Sequence, residues 1–474
     1  MKSISLLALA AVSTACLFVG CSPAKDDDDS GSTGATGGTK GDGGTKNDGG
    51  TKSEGGGETT EGGAAMGGQP SQGGGTGTPI SACGEGIVIE GDPLFNDKDV
   101  PGSAKPNGQG TLADPPVLPA EDVAVIGNKL FLNSEEEIWV ADLDGANPTI
   151  KRLAGQRGAG KISAGDLPCK DTRFLVVHNM AATPDGKLVV VDYIGGAIVE
   201  ITDPTGPDCT SHWVAGTSTE TEDPGNDYPA NHGDMDGPGN MALFGGDPDV
   251  TGTGGAGIHK IAVDPDGNYY TWDEGTGKIK MIATDADRTV STIGHISPAD
   301  DVRSLTFMNG RLYAITNDAG SEEALFEINP ATYDSKDTTT PTKNIKEIYR
   351  ADSEAAGNMF PELEGSGHIA ALSDLQNDGE ALIVSSALGF VWRMGTDGTV
   401  LATLAGSLSD RGTPGRLDFE GDFDPTISHP AAEWQLVTQP SSVIGAPWLE
   451  FKDGSLYWSG GIGVGEYVVK FDCQ

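Results

Sequence analysis

The stretch from His259 to Ile282, HKIAVDPDGNYYTWDEGTGKIKMI, decides how the rest of the chain is read. It holds three short runs rich in apolar residues. Ile261 to Val263 meets the turn Asp264-Pro265-Asp266-Gly267, Tyr269 to Trp272 meets the turn Asp273 to Gly277, and Lys278 to Ile282 closes the unit. An Asp-Gly pair between two apolar runs is a strong hairpin signal, because these residues accept the positive φ that tight turns need. One such meander cannot bury both of its faces alone, so it predicts copies of itself nearby.

Five further segments carry the same hairpin: 123–143 with Gly127-Asn128, 178–201 with Asp185-Gly186, 302–328 with Asn309-Gly310, 368–394 with Asp378-Gly379, and 447–471 with Asp453-Gly454. Their second runs are aromatic or β-branched (LFL, LVVV, LYAI, LIVS, LYWS), and third runs such as Ala197 to Ile201 follow. Fourth-strand candidates stand between the copies at 211–215, 289–293 and 400–405. Four antiparallel strands repeated six times, with hardly any helical periodicity, is the pattern of an all-β, six-bladed β-propeller with four-stranded blades. The spacing between turns is long from Gly186 to Gly267 and from Gly379 to Gly454, and the surplus is polar, Gly-rich connector such as 217–257. Long loops on a rigid scaffold are where binding tends to reside.

At Ile261 to Tyr270, IAVDPDGNYY, the chain resembles the core of the NHL repeat. The stretches Ala215-Gly216 with Gly233 to Phe244, and Ala405-Gly406 with Arg411 to Phe419, are similar to NHL-type connectors. The resemblance implies a six-bladed NHL-like propeller, here over residues 83–474. A ring must close or leave its edge strands unpaired, and in such folds a strand from one terminus completes the blade begun at the other. Gly86 to Glu90 and Glu466 to Phe471 are the candidates. Four cysteines remain after export, which leaves three possible pairings of two disulfides. Antiparallel closure brings Cys83 to Cys473, with Cys169 and Cys209 as the second pair. A bridge over so large a loop contributes nominally about 4–5 kcal/mol in the chain-entropy model.

Residues 1–20 read as a lipoprotein signal peptide: Lys2, an apolar run from Ile4 to Val19, then Gly20-Cys21. The run is too short and too early for an ordinary membrane span. Leu17 to Cys21, LFVGC, resembles the bacterial lipobox, which implies lipidation of Cys21. Cys16 and a plain cleaved signal are the alternatives. Ser22 after the cysteine resembles the outer-membrane sorting pattern. Residues 21–82 read as a disordered tether, with Asp26 to Asp29 and the hexads TKGDGG, TKNDGG and TKSEGG. Such a composition cannot offset its ordering entropy, and roughly 60 such residues reach roughly 40–45 Å. Calcium binding by the acidic repeat is the rival reading.

With Asp and Glu at 70 against Lys and Arg at 30, the net charge of −40 argues against nucleic acid as a partner. His178 and His259 each stand eight residues before their turn glycine, and His368 eleven before Gly379. If first strands line the axis, these histidines share a depth at its mouth, and a gapped alignment adds Asp122, Arg303 and Trp448. Three converging imidazoles suit a catalytic zinc with an open fourth position. Peptidyl-hydroxyglycine amidating lyases, propellers of this kind, hold zinc with strand-leading histidines in P-H-x-x-A. Here Val177, Ile258 and Gly367 precede them, and blades two, three and five do not alternate, so Asp122 is the substitute oxygen ligand. The bland alternative is a polar channel mouth.

His212, His232, His295 and His429 lack ligand spacing, Gly252 to Gly257 lacks the Lys of a phosphate loop, and there is no G-x-S-x-G. The turn acids are expected to satisfy turn backbones. The sequence thus yields two expectations. One is a monomeric, membrane-anchored propeller that binds a protein or glycan. The other is a lyase-like or lactonase-like enzyme using zinc or calcium.

Overall fold

Asp264 shows why the turns fall where they do. In the computed structural model, its Oδ1 accepts from the backbone N–H groups of Asp266 (2.9 Å) and Asn268 (2.8 Å), and Tyr270 donates its hydroxyl to Oδ2 at 2.9 Å. The turn acid satisfies turn backbone, as expected, while Gly267 takes φ +83°. At Asn309-Gly310 and Asp453-Gly454 both residues have positive φ, the tight geometry that suits a strand's twist.

The structure describes residues 79–91, 109–111, 122–134, 136–144, 149–157, 163, 166–216, 233–246, 257–297, 300–318, 323–350, 360, 372–386, 388–407, 428–434, 436, 448–459 and 467–474. The expected signal segment 1–20, the lipidation site Cys21, the tether up to residue 78 and His368 lie outside them.

Six antiparallel sheets result. From the innermost strand outward, blade one is Val123–Ile126, Lys129–Ser134, Glu137–Asp142 and Thr149–Gly155. Blade two is Val177–Ala182, Leu188–Asp192, Ala197–Thr202 and Thr210–Ala215. Blade three is Ile258–Val263, Tyr269–Asp273, Lys278–Ile282 and Val290–His295. Blade four is Asp300–Met308, Arg311–Asp318, Glu323–Ile328 and Ile345–Arg350. Blade five is Leu372–Asn377, Leu382–Ser386, Phe390–Met394 and Val400–Gly406. Blade six is Trp448–Lys452, Ser455–Ser459, Tyr467–Cys473 and, from the other end of the domain, Cys83–Gly91. Each first strand lies against the first strand of the next blade, and that of blade six against that of blade one. The ring is closed.

Three blades exceed the expected four strands. Gln109–Thr111, Leu167–Pro168 and His429–Pro430 add short outer strands to blades one, two and six. Runs of two or three residues carry no period from which a strand could be read.

The continuous apolar second strands follow from the ring. Successive side chains of a strand point to opposite faces, and both faces of a blade are covered by neighbours. Leu188 and Val190 pack with Phe131 and Val140 of blade one, whereas Val189 and Val191 pack with Ile258 and Tyr269 of blade three. Blade four divides likewise: Leu312 and Ala314 face blade three, Tyr313 and Ile315 face blade five. Each fully buried Val, Leu or Ile contributes about 1.5–3 kcal/mol, so the six inter-blade seams are the core.

Closure falls where expected. Gly86 pairs with Phe471, Val88 with Val469 and Cys83 with Cys473, and the disulfides are Cys83–Cys473 and Cys169–Cys209. Gly86 has no room for a side chain: a Cβ there would lie 2.3 Å from Phe471 Cε1 and 2.6 Å from Trp434 Nε1.

Candidate functional site at the axial mouth

The first strands of blades two to five each carry an irregularity near their start, between Val177 and Asn179, Ile258 and Ile261, Val302 and Ser304, and Leu372 and Leu375. A bulge adds a residue and re-aims a side chain. Here it creates a buried axial layer made of Asp122, Asn179, Lys260, Ser304, Asp374 and Trp448, one residue from each blade.

Four of the six accept a hydrogen bond from the backbone N–H of the next blade. Asp122 Oδ2 accepts from Met180 N at 2.5 Å, Asn179 Oδ1 from Ile261 N at 2.8 Å, Ser304 Oγ from Leu375 N at 3.0 Å, and Asp374 Oδ2 from Leu449 N at 2.5 Å. Lys260 and Trp448 cannot accept. They belong to blades three and six, opposite each other in the ring, and Lys260 Nζ stands 3.3 Å from the centroid of the Trp448 ring. A desolvated cation–π contact of this kind is worth about 2 kcal/mol. It stops the axis.

Burial dominates the titration of this layer. Desolvation, then the nearby Asp374 carboxylate, raises the Asp122 pKa against the pull of Lys260. Burial likewise raises Asp374 and lowers Lys260, with the Asp374 and Asp122 charges opposing the fall of the lysine. Farther along the first strand of blade six, Glu450 is pushed up to about 8 by desolvation and then by Asp122.

One residue earlier on the same strands, His178, His259 and Arg303 are only half-buried, so solvent reaches this level and not the next. The two imidazoles are 4.5 Å apart by ring centroid, and Tyr193 lies 5.2 Å from His178 and 4.6 Å from His259. Trp448 meets His178 edge-on at 6.4 Å. Glu274 receives the Tyr193 hydroxyl at 3.3 Å. His259 Nε2 lies 3.0 Å from the same Glu274 oxygen, an ion-pair distance without hydrogen-bond alignment. Arg303 pairs with Asp301 at 2.9 Å. Burial, followed by the charges of His259 and Lys260, holds His178 well below the usual imidazole range, so its ring is neutral at neutral pH.

The structure thus brings His178, His259 and Arg303 together at the mouth. It places Asp122 and Trp448 one layer deeper than a gapped alignment does, because the bulges add a residue. The Asp122 carboxylate, expected as an oxygen ligand, instead takes Met180 N and the Asn179 side-chain amide (2.9 Å). In blade five the first strand begins at Leu372, and Ser373 holds the repeat position of His178. Among the described residues, no group of three His, Cys, Asp or Glu side chains is placed to hold a metal.

Tyr193, Glu274 and Asp301 escaped the sequence reading. Tyr193 follows Asp192 and Glu274 follows Asp273, so both are the first residue after a second strand. Those two aspartates anchor the chain around the mouth. Asp192 accepts from Leu175 N (2.9 Å) and Gly195 N (2.8 Å), and Asp273 from Gly245 N (2.9 Å). Aligning the ends of second strands as well as the starts of first strands would have found Tyr193 and Glu274.

No family model matches the chain, and no curated protein matches it. Solved structures do. A gluconolactonase from Xanthomonas campestris is 11% identical, with 83% of this chain and 98% of that one covered and a TM-score of 0.42. An auxiliary nutrient binding protein from Bacteroides thetaiotaomicron is 10% identical, covering 82% and 76%, with a TM-score of 0.43. A streptogramin B lyase is 12% identical, covering 77% and 97%, with a TM-score of 0.40. The likeness is one of fold.

Proposed function

We propose that this is an exported, lipid-anchored NHL-like propeller whose work is binding, with a protein or glycan held at the axial mouth by His178, Tyr193, His259, Glu274 and Arg303. The observation that carries this reading is the stopped axis. Lys260 against Trp448 closes it one residue below a half-buried layer rich in aromatic and titratable groups. A ligand entering there meets a floor. The LFVGC sequence at Cys21 and the tether of residues 21–82 support a place at the outer membrane. The two disulfides suit an oxidising compartment, and the acidic net charge supports a partner other than nucleic acid.

A second reading is a metal-dependent enzyme, lyase-like or lactonase-like, using zinc or calcium. It is favoured by the closeness of His178, His259 and Glu274, groups able to move a proton.

The test is a glycan and peptide array probed with the purified full chain and with a His178→Ala/His259→Ala variant, beside elemental analysis of both. Binding that disappears in the variant while its melting temperature stays unchanged supports the binding module. Stoichiometric zinc or calcium, lost in the variant, would replace that reading with the enzyme.

A further inference from the structure

The mouth has a donor and acceptor inventory of its own. Among the described residues, His178 Nδ1, His259 Nε2 and Asp301 Oδ1 are buried side-chain atoms without a hydrogen-bond partner. They come from the consecutive first strands of blades two, three and four. Such atoms are costly to leave unmet. The three strands lie side by side in the ring, with the His178 and His259 rings 4.5 Å apart and Asp301 beside Arg303.

A carboxylate oxygen only accepts, whereas each nitrogen of a neutral imidazole either accepts or donates. A group that meets all three atoms must donate to Asp301 and be able to do either toward the histidines. A hydroxyl does both. An anionic ligand would face Asp301 and Glu274, and a cationic one would face Arg303 with Lys260 beneath it. The rings of Tyr193 and His259 and the edge of Trp448 supply apolar surface beside these polar atoms. Given that the mouth is a binding site, as proposed above, we infer that it takes a neutral, hydroxyl-rich ring, the sugar unit of a glycan. The hydroxyls of that ring are shared between Asp301 Oδ1 and the His178–His259 pair.

The full chain, with its histidine rings labelled, is titrated with a neutral hexose, a hexuronate, an amino sugar and a neutral tripeptide while the imidazole signals are followed by NMR. His178→Gln and His259→Gln variants assign those signals. The neutral hexose is expected to move both, and Asp301→Asn to weaken it by about tenfold or more, the loss of one hydrogen bond to a charged group. If Asp301→Asn does not fold, the His178→Gln variant serves as the weakened form, with the His259 signal as its readout. Movement with the hexuronate, amino sugar or tripeptide but not the hexose overturns the ligand class and leaves the binding reading standing. No movement with any of the four overturns both. Hexose binding undiminished by both substitutions overturns the assignment of the hydroxyls.

Discussion

Asn179, Lys260 and Ser304 differ from His178, His259 and Arg303 by one position along the same three strands, yet the two layers obey different rules. The deeper layer is buried, and its members either clamp the backbone of the next blade or, like Lys260 and Trp448, meet across the axis. The outer layer is half-buried, and its contacts are ring contacts and ion pairs rather than clamps on the next blade's backbone. The first spaces the blades. The second does not clamp a neighbouring blade.

Substitutions in the two layers should therefore separate. Asp374→Ala strips partners from Leu449 N and Leu375 N and leaves Lys260 less compensated. Breaking a buried charged network in this way costs about 3–5 kcal/mol, read by chemical denaturation. An unchanged midpoint would break the comparison. Lys260→Met keeps apolar contact with Trp448 but removes the cation that Asp122 and Asp374 feel. A loss of about 1–3 kcal/mol is expected at neutral pH, shrinking in acid as Asp374 protonates.

The pH dependence sharpens the same contrast. Asp122 and Glu450 have folded pKa values above their unfolded ones. Their contribution is fully present below about pH 4 and is lost as pH rises through the folded values, which for Glu450 is about 8. His178 is shifted the other way. Its contribution is present above about pH 6.5 and disappears as pH falls through its lowered value. Melting curves against pH should lose part of their alkaline decline in Glu450→Gln and part of their acid decline in His178→Gln. The smallest effect belongs to the outer layer at neutral pH, where His178→Ala should shift stability by about 1 kcal/mol or less. A larger loss would show that His178 holds the blades together.

The blades were legible because their signals are local. Asp264 to Gly267 states its own turn, and LVVV at 188–191 is apolar throughout since a blade is covered on both faces. The closure was legible because Gly86 to Glu90 had no other partner and cysteines stood at both ends. The axial layers were not. A bulge is a one-residue matter, and one residue is the whole distance between His178 and Asn179, so Asp122 and Trp448 aligned with the wrong layer. Glu274 reaches His259 across the hairpin of blade three, where Ile258 pairs with Asp273, a neighbour that an alignment of first-strand starts alone passes over.

The shared sixth blade also orders events in the making of the protein. Residues 83–91 are synthesised ahead of the blades, and the strands they pair with, at 429–430 and 467–473, come from the last part of the domain. Earlier blades can form as they emerge, but they stand as an open arc with an exposed seam at each end. The circle is therefore completed as a whole, with the bond between Cys83 and Cys473 the final stitch.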